Sequence, residues 1–250
     1  MLRSRCDLLR SLHVPGSPLV LPNAWDVASA KEVVEAGYRV VATTSGGVAA
    51  TLGYEDHQDA PADEMLEVAA RIVRSVDVPV TVDAEAGYRM APVELVDALL
   101  GAGVAGCNLE DTDHATGRLE DPGAHAEWLA SVRSAAADRD SGLVINARID
   151  VFLADQGARP QHQLLDDAVA RARAYRAAGA DCVFPILLSD RAAIAEFTDA
   201  VEAPVNILAL PTAPSIGDLA GLGVARVSYG SSIHRRTMQD LAAFLAELPR

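Results

Sequence analysis

The chain has 250 residues, half of them hydrophobic, and carries 35 acids against 21 bases for a formal net charge of −14. That length supports one large core, since α/β barrels of about 250 residues form as single units. An acidic chain without a Lys/Arg cluster argues against nucleic acid and anionic membrane surfaces as partners. Lys31 is the only lysine and lies in the helical stretch SAKEVVEAG, on a solvent-facing position. Schiff-base chemistry needs a lysine amine inside the site, so that class is set aside. Cys6, Cys107 and Cys182 are widely spaced and read as free thiols of a reducing compartment. The N-terminal MLRSRCDLLRSLHVPG lacks the long apolar stretch of a signal peptide, and no window approaches a membrane span. A cytoplasmic protein is expected.

Along the chain, short β-branched runs appear at LVLPNA, RVVATTS, VPVTVDA, AGCNLED, LVINARID, CVFPIL, PVNILAL and RVSYGS. Helical stretches rich in Ala, Leu, Glu and Arg lie between them, such as ADEMLEVAARIVRSV and LLDDAVARARAYRAAG. Several end in glycine before the next strand (EAGY, GAGV, AAGAD, GLGV), as a left-handed C-cap requires. Eight such units with nearly continuous apolar strands predict a (β/α)8 TIM-type barrel over about 19–232, with a C-terminal helix over about 233–247, in a single domain spanning 1–250. A doubly wound open sheet is the runner-up, but no G-x-G-x-x-G follows the first strand.

In such a barrel the chemistry belongs at the carboxyl ends of the strands. The third strand ends TVDAEAGYR, where Asp83 and Glu85 are two apart and share a strand face. Like charges that close need a proton, a cation or water between them. With Glu110 on the next strand they suit magnesium, which prefers oxygen ligands and keeps several waters. Alternatively, one acid caps the following helix or pairs with Arg89. No histidine pair has zinc-ligand spacing. Arg148, in NARID, can grip a substrate carboxylate bidentately, or it can rest on Glu110 and neutralise the mouth. The glycines of TTSGGVAATLGYED free backbone N–H groups for an anionic oxygen, or simply serve a tight turn, and Asp56 ends that stretch. His57 adjoins Asp56; His13, His125, His162 and His234 read as surface residues. DTDHATGRLEDPG, from Asp111 to Gly123, is long for a βα loop and reads as a lid carrying His114 and Arg118.

The segments PNAWDVASA, TTSGGVAATLGYED, VDAEAGYR, NLEDT, INARID and AGADCVFP resemble, in order and spacing, the isocitrate lyase/phosphoenolpyruvate mutase superfamily. The likeness runs from about Leu21 to Ser232. It implies an α/β barrel that binds magnesium (or manganese) and a 2-oxo acid or its enolate, and makes or breaks the C–C or P–C bond beside it. By the same resemblance Asp83 is the metal-proximal aspartate, and Glu85 and Glu110 act on the metal through water. Arg148 holds the substrate carboxylate, and Ser45, Gly46 and Gly47 hold substrate oxygens. Asp56 stands near the reacting group. Apart from the resemblance, Asn206 at the end of the seventh strand and Arg118 on the lid are further candidate substrate contacts, with His114 and Arg118 candidates for recognising a second charged group or delivering a proton. The resemblance also implies a homotetramer or dimer in which the C-terminal helix is exchanged between subunits.

Several positions depart from the family pattern. The K-K-C-G-H motif of isocitrate and 2-methylisocitrate lyases is absent; the lid holds neither Lys nor Cys. Thr116, Gly117 and Arg118 stand where the phosphoenolpyruvate mutase lid has lysine and asparagine. Ile186 ends the sixth strand, where the mutase branch has histidine and the lyase branch glutamate. The leading expectation is therefore a magnesium-dependent lyase or decarboxylase that cleaves a C–C bond next to a 2-oxo carboxylate through an enolate. The alternatives are a carboxyphosphoenolpyruvate-type or phosphoenolpyruvate-type phosphonomutase and a 2-oxo acid binding barrel without turnover.

Overall fold

The computed structural model describes Leu2 to Pro249. The strands are β1 (Leu19–Leu21), β2 (Asn23–Ala24), β3 (Val41–Thr43), β4 (Val80–Asp83), β5 (Gly106–Glu110) and β6 (Thr112–Asp113). They continue with β7 (Arg118–Leu119), β8 (Val144–Ile149), β9 (Cys182–Pro185), β10 (Asn206–Leu208) and β11 (Arg226–Ser228). Parallel pairing runs β2-β3-β4-β5-β8-β9 in one sheet and β1-β11-β10 in the other. A parallel bridge from Val183 to Val205 joins β9 to the approach of β10. Only Pro22 separates β1 from β2; proline cannot donate to a ladder, so it divides one barrel strand into two pieces. Counting β1 and β2 together, eight parallel strands close the TIM-type barrel. The short β6 and β7 form an antiparallel hairpin outside it.

The helices are α1 (Leu2–Ser11), α2 (Val27–Glu35), α3 (Ser45–Leu52), α4 (Ala62–Ser75), α5 (Pro92–Ala102) and α6 (Pro122–Asp138). They continue with α7 (Val151–Ala154), α8 (Leu165–Ala177), α9 (Arg191–Ala200), α10 (Ile216–Gly221) and α11 (Ser232–Glu247). The apolar faces of α4, α5, α6, α8 and α9 pack on the outward residues of the strands in one continuous core. α1 has a different place: buried Cys6 and Leu9 pack with Leu21, Val40, Ala42, Ala105 and Val144. Those residues sit toward the amino ends of the strands, so α1 covers the face opposite the site.

Inside the barrel the strand alternation puts Thr81 and Asp83 of β4, Asn108 and Glu110 of β5, and Asn146 and Arg148 of β8 on the lumen side. The register sets Asn108 beside Asn146 and Glu110 beside Arg148. Beneath the mouth the lumen is polar: Asn108 Oδ1 accepts from Asn146 Nδ2 at 2.8 Å and from the buried Arg226 Nη2 at 3.1 Å.

Candidate active site

The carboxyl ends of the strands open into a cavity of about 280 Å³. Ser45, Asp56, Asp83, Glu85, Glu110 and Arg148 all line it. β4 ends at Asp83, and strand alternation therefore stops before Glu85. Glu85 reaches the same cavity because its backbone is left-handed, with φ +49. This corrects the simple picture of two acids on one strand face. Gly87 follows with φ +80 and packs under Trp128, where an added Cβ would lie 2.8 Å from the ring.

Neither of the ordinary duties considered for these acids is observed. α5 is capped by Ala91 and Glu94, and among the described residues Arg89 forms no ion pair with Asp83 or Glu85. Asp83 Oδ2 accepts from Ser45 Oγ at 2.9 Å and Ser45 N at 3.3 Å, which ties β4 to the first turn of α3. Asp83 Oδ1 and Glu85 Oε2 are buried with no protein partner. Burial, reinforced by the Asp83 carboxylate, pushes the Glu85 carboxyl up to about 8. A buried acid oxygen without a donor is costly, and a second acid beside it raises that cost.

Arg148 sits between two carboxylates. It pairs through Nη1 with Glu110 Oε2, and Asp150 takes Nε at 2.6 Å and Nη2 at 2.9 Å. Burial alone would lower the Arg148 value, but Glu110 and Asp150 raise it, so the guanidinium stays charged. Burial lifts Glu110 to about 7, against the pull of Arg148 and of a hydrogen bond from His114 Nε2, 2.6 Å from Oε1. Asp150 is fully buried and also accepts from Thr112 Oγ1 at 2.7 Å. Its backbone N–H donates to Asp111 Oδ1, and Asp111 Oδ2 accepts from Tyr175 and Arg171 at 2.7 and 3.0 Å.

The predicted glycine stretch is the first turn of α3 rather than an open loop. A Cβ on Gly46 would lie 2.7 Å from Asp56 Oδ2 and 3.0 Å from Ser231 Oγ, so glycine here admits Asp56 to the mouth. Gly47 faces Thr44, Trp25 and His234 instead. The predicted lid is the β6–β7 hairpin, whose turn is held by Asp113 accepting from Ala115 N and Thr116 Oγ1. It turns His114 inward onto Glu110, with the His57 ring 5.5 Å away. Arg118 is exposed and does not line the cavity. Asn206 is fully buried on the barrel floor, exchanging hydrogen bonds with Ser228 at 3.3 Å. His13 and His125, read as surface residues, are buried: His13 Nδ1 bonds Leu9 O, and His125 packs between Trp128 and Tyr175.

Sequence and structure comparisons bear on this arrangement. A family model described as phosphoenolpyruvate phosphomutase matches residues 9–248. The chain belongs to that family. A crystal structure of a candidate phosphonomutase from Burkholderia cenocepacia J2315 is 41% identical, with a TM-score of 0.92 over 98% of this chain and all of that one. The 2-methylisocitrate lyase of Escherichia coli K12 is 31% identical, covering 90% of this chain and 81% of its own. An oxaloacetate decarboxylase of Rhodopseudomonas palustris CGA009 is 32% identical over 93% of this chain and 80% of its own. Within this phosphomutase family frame, sequence reasoning assigned no role to Asp150, Arg171 or Gln161. Asp150 carried a signal, since it is a polar residue at the end of the strand that bears Arg148; Arg171 and Gln161 come from distant helical segments and carried none.

Proposed function

We propose that this protein is a lyase or decarboxylase that cleaves a C–C bond beside a 2-oxo carboxylate, with magnesium as its cofactor. The observation that supports this most is the pair of unpartnered buried carboxylate oxygens, Asp83 Oδ1 and Glu85 Oε2, in one cavity with an immobilised arginine. Among the described residues, no three His, Cys, Asp or Glu side chains gather into a complete metal cage. Magnesium suits what is there, because one or two carboxylates with several waters are enough for it. Asp83 would hold it directly and Glu85 through water; Glu110 is engaged by Arg148 and His114. When bound, the ion supplies positive charge against the negative charge that develops on the 2-oxo oxygen.

The chain's own residues then have distinct tasks. Arg148, fixed by Glu110 and Asp150, binds the substrate carboxylate and orients the C2 oxygen toward Asp83. The Ser45 N–H of the first turn of α3 already donates to Asp83 Oδ2, and the Gly46 N–H beside it would serve the same anionic end. In the decarboxylase case the bond from C3 to the carboxyl carbon breaks, that carbon leaves as CO2, and its electron pair enters an enolate across C2 and C3. A proton from a water molecule beside Asp56, which lines the same cavity, then adds to C3. The test is titration with oxalate, an enolate mimic, with and without magnesium. Oxalate binding should require magnesium and weaken at least tenfold in Asp83→Ala; binding unaffected by either change refutes the site.

Phosphonomutase chemistry is the second reading, favoured by the family match and by the similarity to the Burkholderia protein. Phosphorus NMR of the phosphonate alone distinguishes the two, since P–C turnover converts its resonance into that of a phosphate ester or inorganic phosphate, whereas a C–C lyase leaves it unchanged. We also propose a homo-oligomer. α11 buries none of its side chains, and Met238, Leu241, Phe244 and Leu245 stand exposed at helical spacing. An apolar groove lined by Trp25, Val33, Tyr38 and Ile233 adjoins it and offers the same face of a second copy a seat. Light scattering on Leu241→Asp/Phe244→Asp should report a smaller species than the wild type. Among the described residues no helix is long and apolar enough to cross a membrane.

A further inference from the structure

One arc of the cavity bears on what the substrate carries beyond its 2-oxo carboxylate. From the end of β8 to the end of β10 the wall is hydrocarbon, made by Leu153, Phe184, Ile186, Leu187, Leu208 and Leu210. β8, β9 and β10 are consecutive around the barrel, so these six form a continuous surface. It begins where the arc carrying Asp83, Glu85, Glu110 and Arg148 ends. No charged side chain from β9, β10 or the loops after them lines the cavity among the described residues.

The wall is also held in a strained form. Leu187 has φ +65, a conformation leucine rarely adopts. The Gln161 side chain fixes it: Nε2 donates to Leu187 O at 2.8 Å, and Oε1 accepts from Ser189 N at 2.9 Å and Asp190 N at 2.8 Å. One amide thus satisfies three backbone groups of the loop that presents Ile186 and Leu187. Strained residues persist where their surroundings over-determine them, and they concentrate at binding sites.

We infer that this arc is the specificity surface for a hydrocarbon substituent on C3 of the 2-oxo acid, and that Gln161 is the positioning residue that shapes it. The inference rests on the 2-oxo acid reading given above. A second carboxylate turned toward the arc would lose its water and meet no donor. The cavity's other guanidinium, Arg235, is exposed near the start of α11, beyond β11, and belongs to a different arc.

The test is calorimetric titration, with magnesium present, of oxalate, pyruvate, 2-oxobutyrate, 2-oxopentanoate and 2-oxoglutarate. Affinity should rise about fourfold per added methylene from pyruvate to 2-oxopentanoate, the factor for burying one such group. 2-Oxopentanoate should bind at least tenfold tighter than 2-oxoglutarate. Within each variant the ratio of 2-oxopentanoate to pyruvate affinity should collapse toward one in Ile186→Asn and Gln161→Ala, and recover in Ile186→Val. Melting curves establish that each variant is folded. If oxalate binds but the series is flat, or 2-oxoglutarate is preferred, the inference is overturned while the site reading stands. A gradient intact in Gln161→Ala removes Gln161 from the proposal, and one intact in Ile186→Asn removes the wall. Failure of the wild type to bind oxalate overturns the site reading and this inference with it.

Discussion

Replacing Glu85 with glutamine should stabilise the metal-free protein and weaken its response to magnesium. Glu85 is 3% exposed, so solvent screens it little, and its carboxyl is raised from 4.5 to about 8 by burial and by Asp83. The folded value lies above the unfolded one, so the folded state holds this proton more tightly. Wild-type stability therefore falls as pH rises from about 4.5 to about 8, and the full penalty is present above that. By linkage the penalty is on the order of 5 kcal/mol once Glu85 is ionised. Glutamine keeps the shape and has no such charge.

The assay is thermal melting in EDTA across pH 4.5 to 9. For a chain of this size about 1 kcal/mol moves the midpoint by about 2–4 °C. Glu85→Gln should melt about 10 °C or more above wild type at pH 9, and the two should converge near pH 4.5. Magnesium at about 100 times its dissociation constant should then add about 2.7 kcal/mol to the wild type. The variant should gain less, because one of the two unpartnered acids is gone. A variant that melts at or below wild type at pH 9 in EDTA, or that gains as much from magnesium, refutes the electrostatic account of this pair.

Asp150→Asn removes one of the two carboxylates holding Arg148; oxalate affinity should drop at least tenfold by titration, and denaturant unfolding should show a loss of about 3 kcal/mol. Gly46→Ala places a methyl 2.7 Å from Asp56 Oδ2, so oxalate affinity in the presence of magnesium should fall at least tenfold while the melting midpoint moves only a few degrees. His13 and His125 are lowered by burial from 6.5 to about 4. Their folded values lie below the unfolded ones, so stability present above pH 6.5 is lost as pH falls through 4, by about 3 kcal/mol for each fully titrated ring. Urea unfolding of His125→Phe should show a shallower loss over that range.

The sequence determined the barrel, because its signals are local. Each apolar run and each amphipathic stretch reports its own burial, and a glycine such as Gly103, with φ +78, marks where α5 must end. It also named most of the mouth. Asp83, Glu85, Glu110 and Arg148 are polar residues at the ends of otherwise apolar strands, and the barrel brings them into one cavity. The left-handed turn at Glu85 was not legible, since period-two reasoning assumes that the strand continues. Nor was the burial of His13 and His125, which depends on which helix covers which end of the barrel.

Contacts between distant segments were decided only by the tertiary structure. The register of β5 on β8 makes Glu110 and Arg148 a pair, and Asp150, Asp111, Arg171 and Tyr175 support them from three elements. Arg118 and His114 stand four residues apart on one predicted lid, yet the hairpin exposes the first and turns the second onto Glu110. Ile186 in sequence is merely a missing polar group; in the barrel it belongs to a wall that Gln161 holds from 25 residues upstream. Sequence period tells which side of an element is buried, whereas the neighbour across the cavity is set by barrel closure.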